Sequence, residues 1–216
     1  MTAINLDTWP RSQHFSLFKD FSQPYFSVCV HIDAKQLFNC CKSSQQSFFQ
    51  SYIFLALRAC HQYPPMLQRI INDAPWQLDD ARASVVELAA DETFRFSYFS
   101  LTQQFDDFSK HVQQVGSQTK AAPLFSDAFA HTEGQADLIH ISVLPWLDFT
   151  SFSHAYSHGK SLGIPKLVFG KYNKDTGKMP LSIDVHHALM DGLHVARFIE
   201  YFQNCIDQYC KTMQKK

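Results

Sequence analysis

The stretch Leu181-Ser-Ile-Asp-Val-His-His-Ala-Leu-Met-Asp-Gly192 joins a strand pattern to the start of a helix. Its side chains alternate, so that one strand face carries an apolar row ending at His187, and the other face carries Asp184 and His186. Asp191 then precedes an apolar stripe at helical spacing, which indicates that the chain turns from this strand into its last helix. We therefore expect His187 to lie half-buried at the end of a strand.

Strands and helices are mixed along the rest of the chain. Strand patterns cover residues 26–32, 83–88, 94–101, 138–144, 167–172 and 181–187, and helix patterns cover 34–42, 48–63, 105–115 and 195–209. Residues 116–134 are interpreted as a loop. A short turn at 175–177 joins the last two strands, which favours antiparallel pairing. The sequence predicts an α+β fold, a two-layer sandwich in which helices cover a mixed, largely antiparallel sheet.

Length and composition favour a single domain over residues 1–216 that associates with copies of itself. Hydrophobic residues make up 45% of the 216 residues, enough for a sizeable core. Charged residues make up only 18%, against about 25% in an average soluble domain. A chain with so little charge is expected to hide part of its surface in an oligomer.

Several function classes are not expected from the composition. A net charge of -1 offers no basic excess for a nucleic-acid backbone. The 7 glycines form no phosphate-binding loop motif. We see neither a signal peptide nor an apolar run of about 18 residues, so no membrane association is predicted. The six cysteines form no CxxC pair, and we expect a reducing, cytoplasmic setting.

The residues of the opening stretch have both chemical and ordinary interpretations. A neutral imidazole at a strand end can accept a proton, as a general base must. A histidine in this place is more often structural, and Asp191 before a helix is more often a cap. A metal site is a further alternative, using His186, His187, Asp191 or His194. Adjacent histidines on a strand point to opposite faces, which makes them poor joint ligands, so no metal is predicted.

The HHxxxDG pattern that ends at Gly192 resembles the signature of the coenzyme A-dependent acyltransferases. Further segments resemble the chloramphenicol acetyltransferases: Trp9-Pro-Arg-Ser-Gln-His-Phe15, Asp91-Glu-Thr-Phe94, Ser142-Val-Leu-Pro-Trp146 with Phe149, and His194-Val-Ala-Arg-Phe198. Dihydrolipoamide acyltransferases tend to have DHR where this chain has Val185-His186-His187, and condensation domains are much longer, two-lobed chains. The resemblance to the chloramphenicol acetyltransferases runs from about Trp9 to Gln208.

The resemblance implies a reaction and the residues that carry it. Acetyl passes from acetyl-CoA, a co-substrate rather than a permanently bound cofactor, to the primary hydroxyl of chloramphenicol, which inactivates the antibiotic. His187 is the general base, both substrates bind together, and no acyl-enzyme forms. Ser142 stabilises the oxyanion, and Arg11 and Asp191 form a buried salt bridge beside the base. Without the resemblance, Ser142 is interpreted as an ordinary strand serine and Arg11 as a surface residue.

The resemblance also implies two binding regions and an assembly. Trp146, Lys171 and Tyr172 match the coenzyme A channel of the family. Candidates for the acceptor pocket are Phe18, Phe26, Phe96, Phe152 and Val168, although most aromatic residues of a Phe-rich chain belong to the core. The family is a homotrimer with active sites at its subunit interfaces, where one subunit supplies the base and its neighbour much of the acceptor pocket.

Two positions depart from the family pattern. Phe18 stands where well-known members have a Tyr that hydrogen-bonds the antibiotic, and Val168 where they have Thr or Ser. Two alternatives therefore stay open. The first is an acetyltransferase for another hydroxylated small molecule, with weak activity on chloramphenicol. The second is a non-catalytic trimer that binds hydrophobic ligands.

Overall fold

A computed structural model describes residues 1–156 and 161–214. In this part of the chain the elements follow the order β1 (Thr2–Ala3), α1 (Ser12–Phe18), β2 (Tyr25–Asp33), α2 (Lys35–Ser43), α3 (Phe48–Gln62), β3 (Gln68–Ile71), β4 (Ala74–Gln77), β5 (Arg82–Leu88), β6 (Phe94–Ser100), α4 (Phe105–Ala121), α5 (Asp127–Thr132), β7 (Leu138–Val143), β8 (Lys166–Phe169), β9 (Lys178–His186) and α6 (Gly192–Met213). A 3₁₀ turn at Pro64–Leu67 follows α3.

Six of these strands form the main sheet, in the order β2-β9-β8-β7-β5-β6. β7 runs parallel to both of its neighbours, β5 and β8. The other pairs are antiparallel, including β8 with β9, whose connection was predicted to be a turn. A small separate sheet has the order β1-β4-β3. The predicted α+β fold with a mixed, largely antiparallel sheet and covering helices is confirmed.

The main core lies between one face of this sheet and the helices. α3 is buried along most of its length, and β9 turns Leu181, Ile183 and Val185 towards the same core. The side chain of Ser47 accepts a hydrogen bond from the Gln50 N–H and so caps the start of α3, while the 3₁₀ turn begins at Pro64 soon after its end. None of the described helices is long and apolar enough to cross a membrane.

The opposite face of the sheet is polar, and much of it is also buried. Ser182 and Asp184 alternate with the core residues of β9 and are both fully buried. The same face of β7 carries His140 and Ser142, and that of β8 carries Lys166 and Val168. The sheet therefore separates an apolar layer from a polar one, and Ser142 belongs to the polar side.

The predicted loop at 116–134 is wrong for most of its length. α4 continues through Gly116 to Ala121, and α5 forms from Asp127 to Thr132. Gly116 does not end the helix but allows it to approach β5, because a Cβ there would lie 2.8 Å from the Glu87 Oε1 atom. The side chain of Ser126 accepts from the Phe129 N–H and caps α5. Close packing, rather than a break in the helix, explains the glycine.

β8 ends at Phe169, three residues earlier than the sequence pattern predicted. A Cβ on Gly170 would lie 2.8 Å from the carbonyl oxygen of Leu147, so the two chain segments meet tightly here. The Lys171 N–H donates to that same oxygen at 2.8 Å. The segments that follow β7 and β8 are thus joined at the carboxyl ends of these parallel strands.

Candidate active site

His187 is the first residue after β9 and is half-buried, as predicted. Its backbone N–H donates to the carbonyl oxygen of Pro24 at 2.8 Å. Its Nδ1 atom lies 3.2 Å from the Met190 carbonyl oxygen. Because a carbonyl oxygen can only accept, a neutral imidazole in this place carries its hydrogen on Nδ1. The arrangement leaves Nε2 as the nitrogen that can accept a proton.

Two phenylalanines hold the plane of the His187 ring. Phe18, the last residue of α1, stacks on the imidazole with 4.0 Å between ring centroids and 4° between planes. Phe26, in β2, packs against it at 4.9 Å and 49°. The contacts with these two phenylalanine rings restrict rotation of the imidazole about its side-chain bonds. Both residues were predicted to line the acceptor pocket, and the structure places both beside the candidate base.

Arg11 and Asp191 meet directly behind His187. The Arg11 Nη1 donates to the Asp191 Oδ2 at 2.5 Å, and its Nη2 donates to the His187 carbonyl oxygen at 3.0 Å. The Arg11 side chain is 11% exposed and that of Asp191 is 35% exposed. Asp191 is also the cap of α6, because its Oδ1 accepts from the Leu193 and His194 N–H groups. It therefore performs both of the roles that the sequence suggested.

The carboxyl group of Asp191 is held in its ionised form. Partial burial raises its pKa, but hydrogen bonds and charge interactions with His194 and Arg11 outweigh burial and keep the pKa well below its usual range. The His194 Nδ1 lies 2.7 Å from the Asp191 Oδ1. A cation on one carboxylate oxygen and a histidine on the other fix the turn that carries His187.

Ser142 lies far from His187 of the same chain. It pairs with Val168 across β7 and β8, and Val168 pairs with Ser182 across β8 and β9. Ser182 precedes His187 by five positions. Two strand spacings and five residues of rise place the Cα atoms of Ser142 and His187 about 19 Å apart. Their side chains cannot span this distance, so a single chain does not bring the two groups together.

The residues assigned to the coenzyme A channel follow β7 and β8. Trp146 is 62% exposed just beyond β7. Lys171 is exposed, and its backbone is joined to this segment through Leu147. Tyr172 instead packs between helices, with its ring centroid 4.5 Å from that of Phe38 and 5.4 Å from that of Phe48. Trp146 and Lys171 thus share one end of the sheet, while Tyr172 is partly engaged in packing.

The remaining acceptor-pocket candidates lie on the polar side of the sheet. Phe96, in β6, contacts Phe129 at 5.7 Å between ring centroids. Phe152 packs edge-on against His154 at 4.8 Å. Val168 is fully buried beside Ser142. These candidates accompany Ser142, whereas Phe18 and Phe26 accompany His187, so the predicted pocket residues fall into two separate groups.

Polar residues beside Ser142 were missed from the sequence. His140 and Lys166 pair across β7 and β8, and Lys166 pairs with Asp184 across β8 and β9. Burial lowers the pKa of His140 to about 4, and the charges of Lys166 and His154 add to this effect. The sequence shows that His140 and Ser142 lie on the same face of a strand. It does not show the strand register that brings Lys166 and Asp184 beside His140.

Comparison with known proteins adds to this geometry. A family model described as chloramphenicol acetyltransferase matches residues 1–203. The chloramphenicol acetyltransferase of Proteus mirabilis is 26% identical over 217 residues, with 97% of this chain and 96% of the relative covered. Chloramphenicol acetyltransferase 3 of Escherichia coli is 28% identical over 220 residues, with 99% of each covered.

Solved structures agree with these matches. A chloramphenicol acetyltransferase structure superposes with a TM-score of 0.83 at 25% identity, covering 95% of this chain and 100% of the other. The dihydrolipoamide acetyltransferase of Azotobacter vinelandii has the same fold, with a TM-score of 0.65 at 13% identity and coverage of 90% and 86%. Since the family model spans nearly the whole chain and the fold agrees, the chain belongs to the chloramphenicol acetyltransferase family of acyltransferase enzymes.

Proposed function

We propose that this enzyme transfers acetyl from acetyl-CoA to the primary hydroxyl of chloramphenicol, with His187 as the general base. The observation that carries the proposal is the fixed imidazole. The Met190 carbonyl holds its Nδ1, Phe18 and Phe26 hold its plane, and Nε2 is left to accept a proton. Such an aligned base typically contributes about 10²–10⁴-fold to the rate.

The reaction proceeds through one tetrahedral intermediate. Nε2 of His187 takes the hydroxyl proton while the oxygen attacks the thioester carbonyl of acetyl-CoA. The Ser142 hydroxyl donates to the oxyanion, which contributes about 10²–10³-fold by analogy with other oxyanion donors. Collapse of the intermediate breaks the C–S bond, and His187 returns its proton to the departing thiolate, so that coenzyme A leaves as the free thiol. The acetyl group never bonds to the enzyme, and no permanent cofactor takes part.

The separation of Ser142 from His187 supports an assembly in which different subunits supply them. A separation of about 19 Å within one chain excludes a common reacting centre. A cyclic trimer would place the His187 side of one copy against the Ser142 side of the next. The two groups of pocket residues fit this arrangement, with Phe18 and Phe26 on one wall and Phe96, Phe152 and Val168 on the other.

In the same proposal, coenzyme A lies along the end of the sheet at Trp146, Lys171 and Tyr172. The exposed indole of Trp146 offers an apolar surface, and the exposed ammonium group of Lys171 offers a charge for phosphate. We also propose that residues 1–216 act as one domain in the cytoplasm. Arg11 and Asp191 act on the reaction only by holding the turn at His187 in place.

Two sequence positions, Phe18 and Val168, favour an acceptor other than chloramphenicol. Phe18 stacks on His187 without the hydroxyl that well-known family members place there, and Val168 replaces a hydroxyl residue beside Ser142. Neither change removes the base or the oxyanion donor. Another hydroxylated small molecule could therefore be acetylated faster than chloramphenicol while the same groups perform the chemistry.

Release of free thiol from acetyl-CoA tests the proposal. The purified protein, with chloramphenicol present, is expected to release thiol above the rate of acetyl-CoA hydrolysis, and His187→Ala to lose this release by about 10²–10⁴-fold. His14→Ala, which changes an exposed histidine of α1, is the matched control and should keep it. A folded protein without release, or an active His187→Ala variant, would contradict the reaction or the base.

A further inference from the structure

A row of polar side chains crosses the sheet beside Ser142. Its members are cross-strand neighbours on one face, from β6 to β9: Tyr98, Ser84, His140, Lys166 and Asp184. We call these five residues the polar row. His140 lies two residues from Ser142 on the same face of β7, a distance of about 7 Å along the strand. The polar row is therefore adjacent to the position proposed for the reacting carbonyl.

Asp184 shows that the hydrogen bonding of the polar row is incomplete. Its side chain is fully buried, and its Oδ2 accepts from the Tyr156 hydroxyl at 2.6 Å. Its Oδ1 has no hydrogen-bond partner among residues 1–156 and 161–214. A buried carboxylate oxygen without a donor costs about 1–3 kcal/mol or more. The buried His154 Nε2, which also makes no hydrogen bond within the described residues, lies 3.9 Å from Oδ2, so that Oδ1 is the carboxylate oxygen left open to a further donor.

Other buried polar atoms around the polar row also lack a hydrogen-bond partner among the described residues. The His140 Nε2 is buried and makes no hydrogen bond within the described part of the chain, and neither does the Ser182 Oγ. The nearest acidic atom to His140 is the Glu133 Oε1 at 3.4 Å. The other oxygen of Glu133 accepts from Ser84 at 3.2 Å and from Tyr98 at 3.1 Å. One end of the row is thus satisfied internally, while its centre and its Asp184 end are not.

The partly exposed side chain of Tyr156 connects Asp184 to the protein surface. Its hydroxyl donates to the Asp184 carboxylate, and the residue is 48% exposed. The Lys166 ammonium group is 4.2 Å from the centre of the Tyr156 ring, and Lys166 pairs with His140 across β7 and β8. A molecule bound along β7 and β8 would therefore meet Lys166 and the His140 Nε2 first, and the Asp184 carboxylate after a movement of Tyr156.

We propose that the polar row binds the acceptor, and that it selects acceptors carrying hydroxyl or amine donors over those carrying apolar groups. This inference rests on the proposed function, since it places the row beside the Ser142 that serves the reaction. An apolar group against the row leaves the Asp184 Oδ1 unpaired, whereas an amino alcohol or polyol donates to it. A site built for hydrogen bonds discriminates strongly against molecules that lack them.

Chloramphenicol and its parent amine make a matched pair of probes. The amine has the same nitrophenyl propanediol and the same primary hydroxyl, but an ammonium group replaces the dichloroacetamide. Thiol release gives kcat/KM for both acceptors on one enzyme preparation. Their ratio is independent of the fraction of folded enzyme, so partial misfolding of a variant does not affect the result.

The wild-type enzyme is expected to have the higher kcat/KM with the amine. Asp184→Asn and Lys166→Met test two positions of the row. Asp184→Asn removes the carboxylate with little change of shape and should shift the ratio towards chloramphenicol by about tenfold or more. Lys166→Met should shift the ratio in the opposite direction, towards the amine, since it removes a cation that repels the ammonium group of this acceptor. Lys110→Met, at an exposed position of α4, is the control and should leave the ratio unchanged.

The outcomes separate this inference from the proposed function. Acetylation of chloramphenicol in preference to the amine, with a ratio that Asp184→Asn and Lys166→Met do not alter, overturns the inference and leaves the proposed function standing. Absence of thiol release with either acceptor overturns both. Preference for the amine, lost in Asp184→Asn and kept in Lys110→Met, supports the assignment.

Discussion

At the scale of single residues, the orientation and the tautomer of the His187 imidazole depend on the side chain and carbonyl group that contact it. Phe18 covers one face of the ring, and the Met190 carbonyl fixes its tautomer. The departure of Phe18 from the family pattern removes a hydroxyl but keeps the aromatic ring. The stacking contact and the missing hydroxyl can therefore be tested separately.

Phe18→Tyr keeps the stacked ring and adds the hydroxyl. We expect it to lower KM for chloramphenicol by a factor of about 3–10, the value of one hydrogen bond, with little change in kcat. Phe18→Leu removes the stack and should lower kcat for every acceptor, because the imidazole gains freedom to rotate. Steady-state kinetics of both variants distinguish the effects. An unchanged kcat in Phe18→Leu would mean that the stack does not position the base.

At the scale of elements, the turn between β9 and α6 joins helix capping to the candidate site. Asp191 caps α6 with one carboxylate oxygen and binds Arg11 with the other. Arg11 in turn holds the carbonyl of His187. The start of the last helix, the segment before α1 and the end of β9 are thereby connected through a single carboxylate.

Asp191→Ala and Asp191→Asn separate the two roles of this carboxylate. Both leave the nearly buried Arg11 without its anion, and we expect each to cost less than about 3 kcal/mol, because Asp191 is about one-third exposed. Asp191→Ala should cost about 1 kcal/mol more, since Asn still caps a helix. Urea unfolding at pH 7 measures both. Equal stability of the two variants would show that the cap contributes nothing.

The pH dependence of the same variants has a definite sign. The folded state depresses the pKa of Asp191, so its stabilising effect is complete above the unfolded pKa of about 4 and is lost as the pH falls further. The stability difference between the wild type and Asp191→Asn should therefore shrink progressively below about pH 4. A difference that stays constant over this range would show that the carboxylate is not ionised preferentially in the folded protein.

At the scale of the whole molecule, the proposed trimer would account for the low content of charge, 18%. Ser142 and His187 lie on different parts of one chain, with about 19 Å between them. The proposed trimer makes a working site only where two copies meet. A surface that is buried between subunits carries few charged residues, because a buried charge without a partner of opposite charge is costly.

Mixing two inactive variants tests the shared site. Ser142→Ala lacks the oxyanion donor and His187→Ala lacks the base. Refolded together in equal amounts, they should form trimers in which about one quarter of the interfaces contain both intact groups. We expect thiol release to rise to about that fraction of the wild-type rate, and each variant refolded alone serves as the control. Activity that never exceeds that of the separate variants would place both groups within one chain.

The sequence by itself determined the six strands of the main sheet, the helices α2, α3, α4 and α6, and the presence of His187 where the last strand ends, but not α1, α5 or the strands of the small sheet. These features follow from local periodicity and from the residues at element ends, so they can be read from neighbouring positions. It misjudged 116–134 because Gly116 serves a contact with Glu87 on another element. Only the tertiary structure decided the register that gathers His140, Lys166 and Asp184, the stacking of Phe18 on His187, and the distance from His187 to Ser142. Each of these depends on the pairing of segments that are remote in sequence, and a shift of one residue in register would turn the side chains to the other face of the sheet.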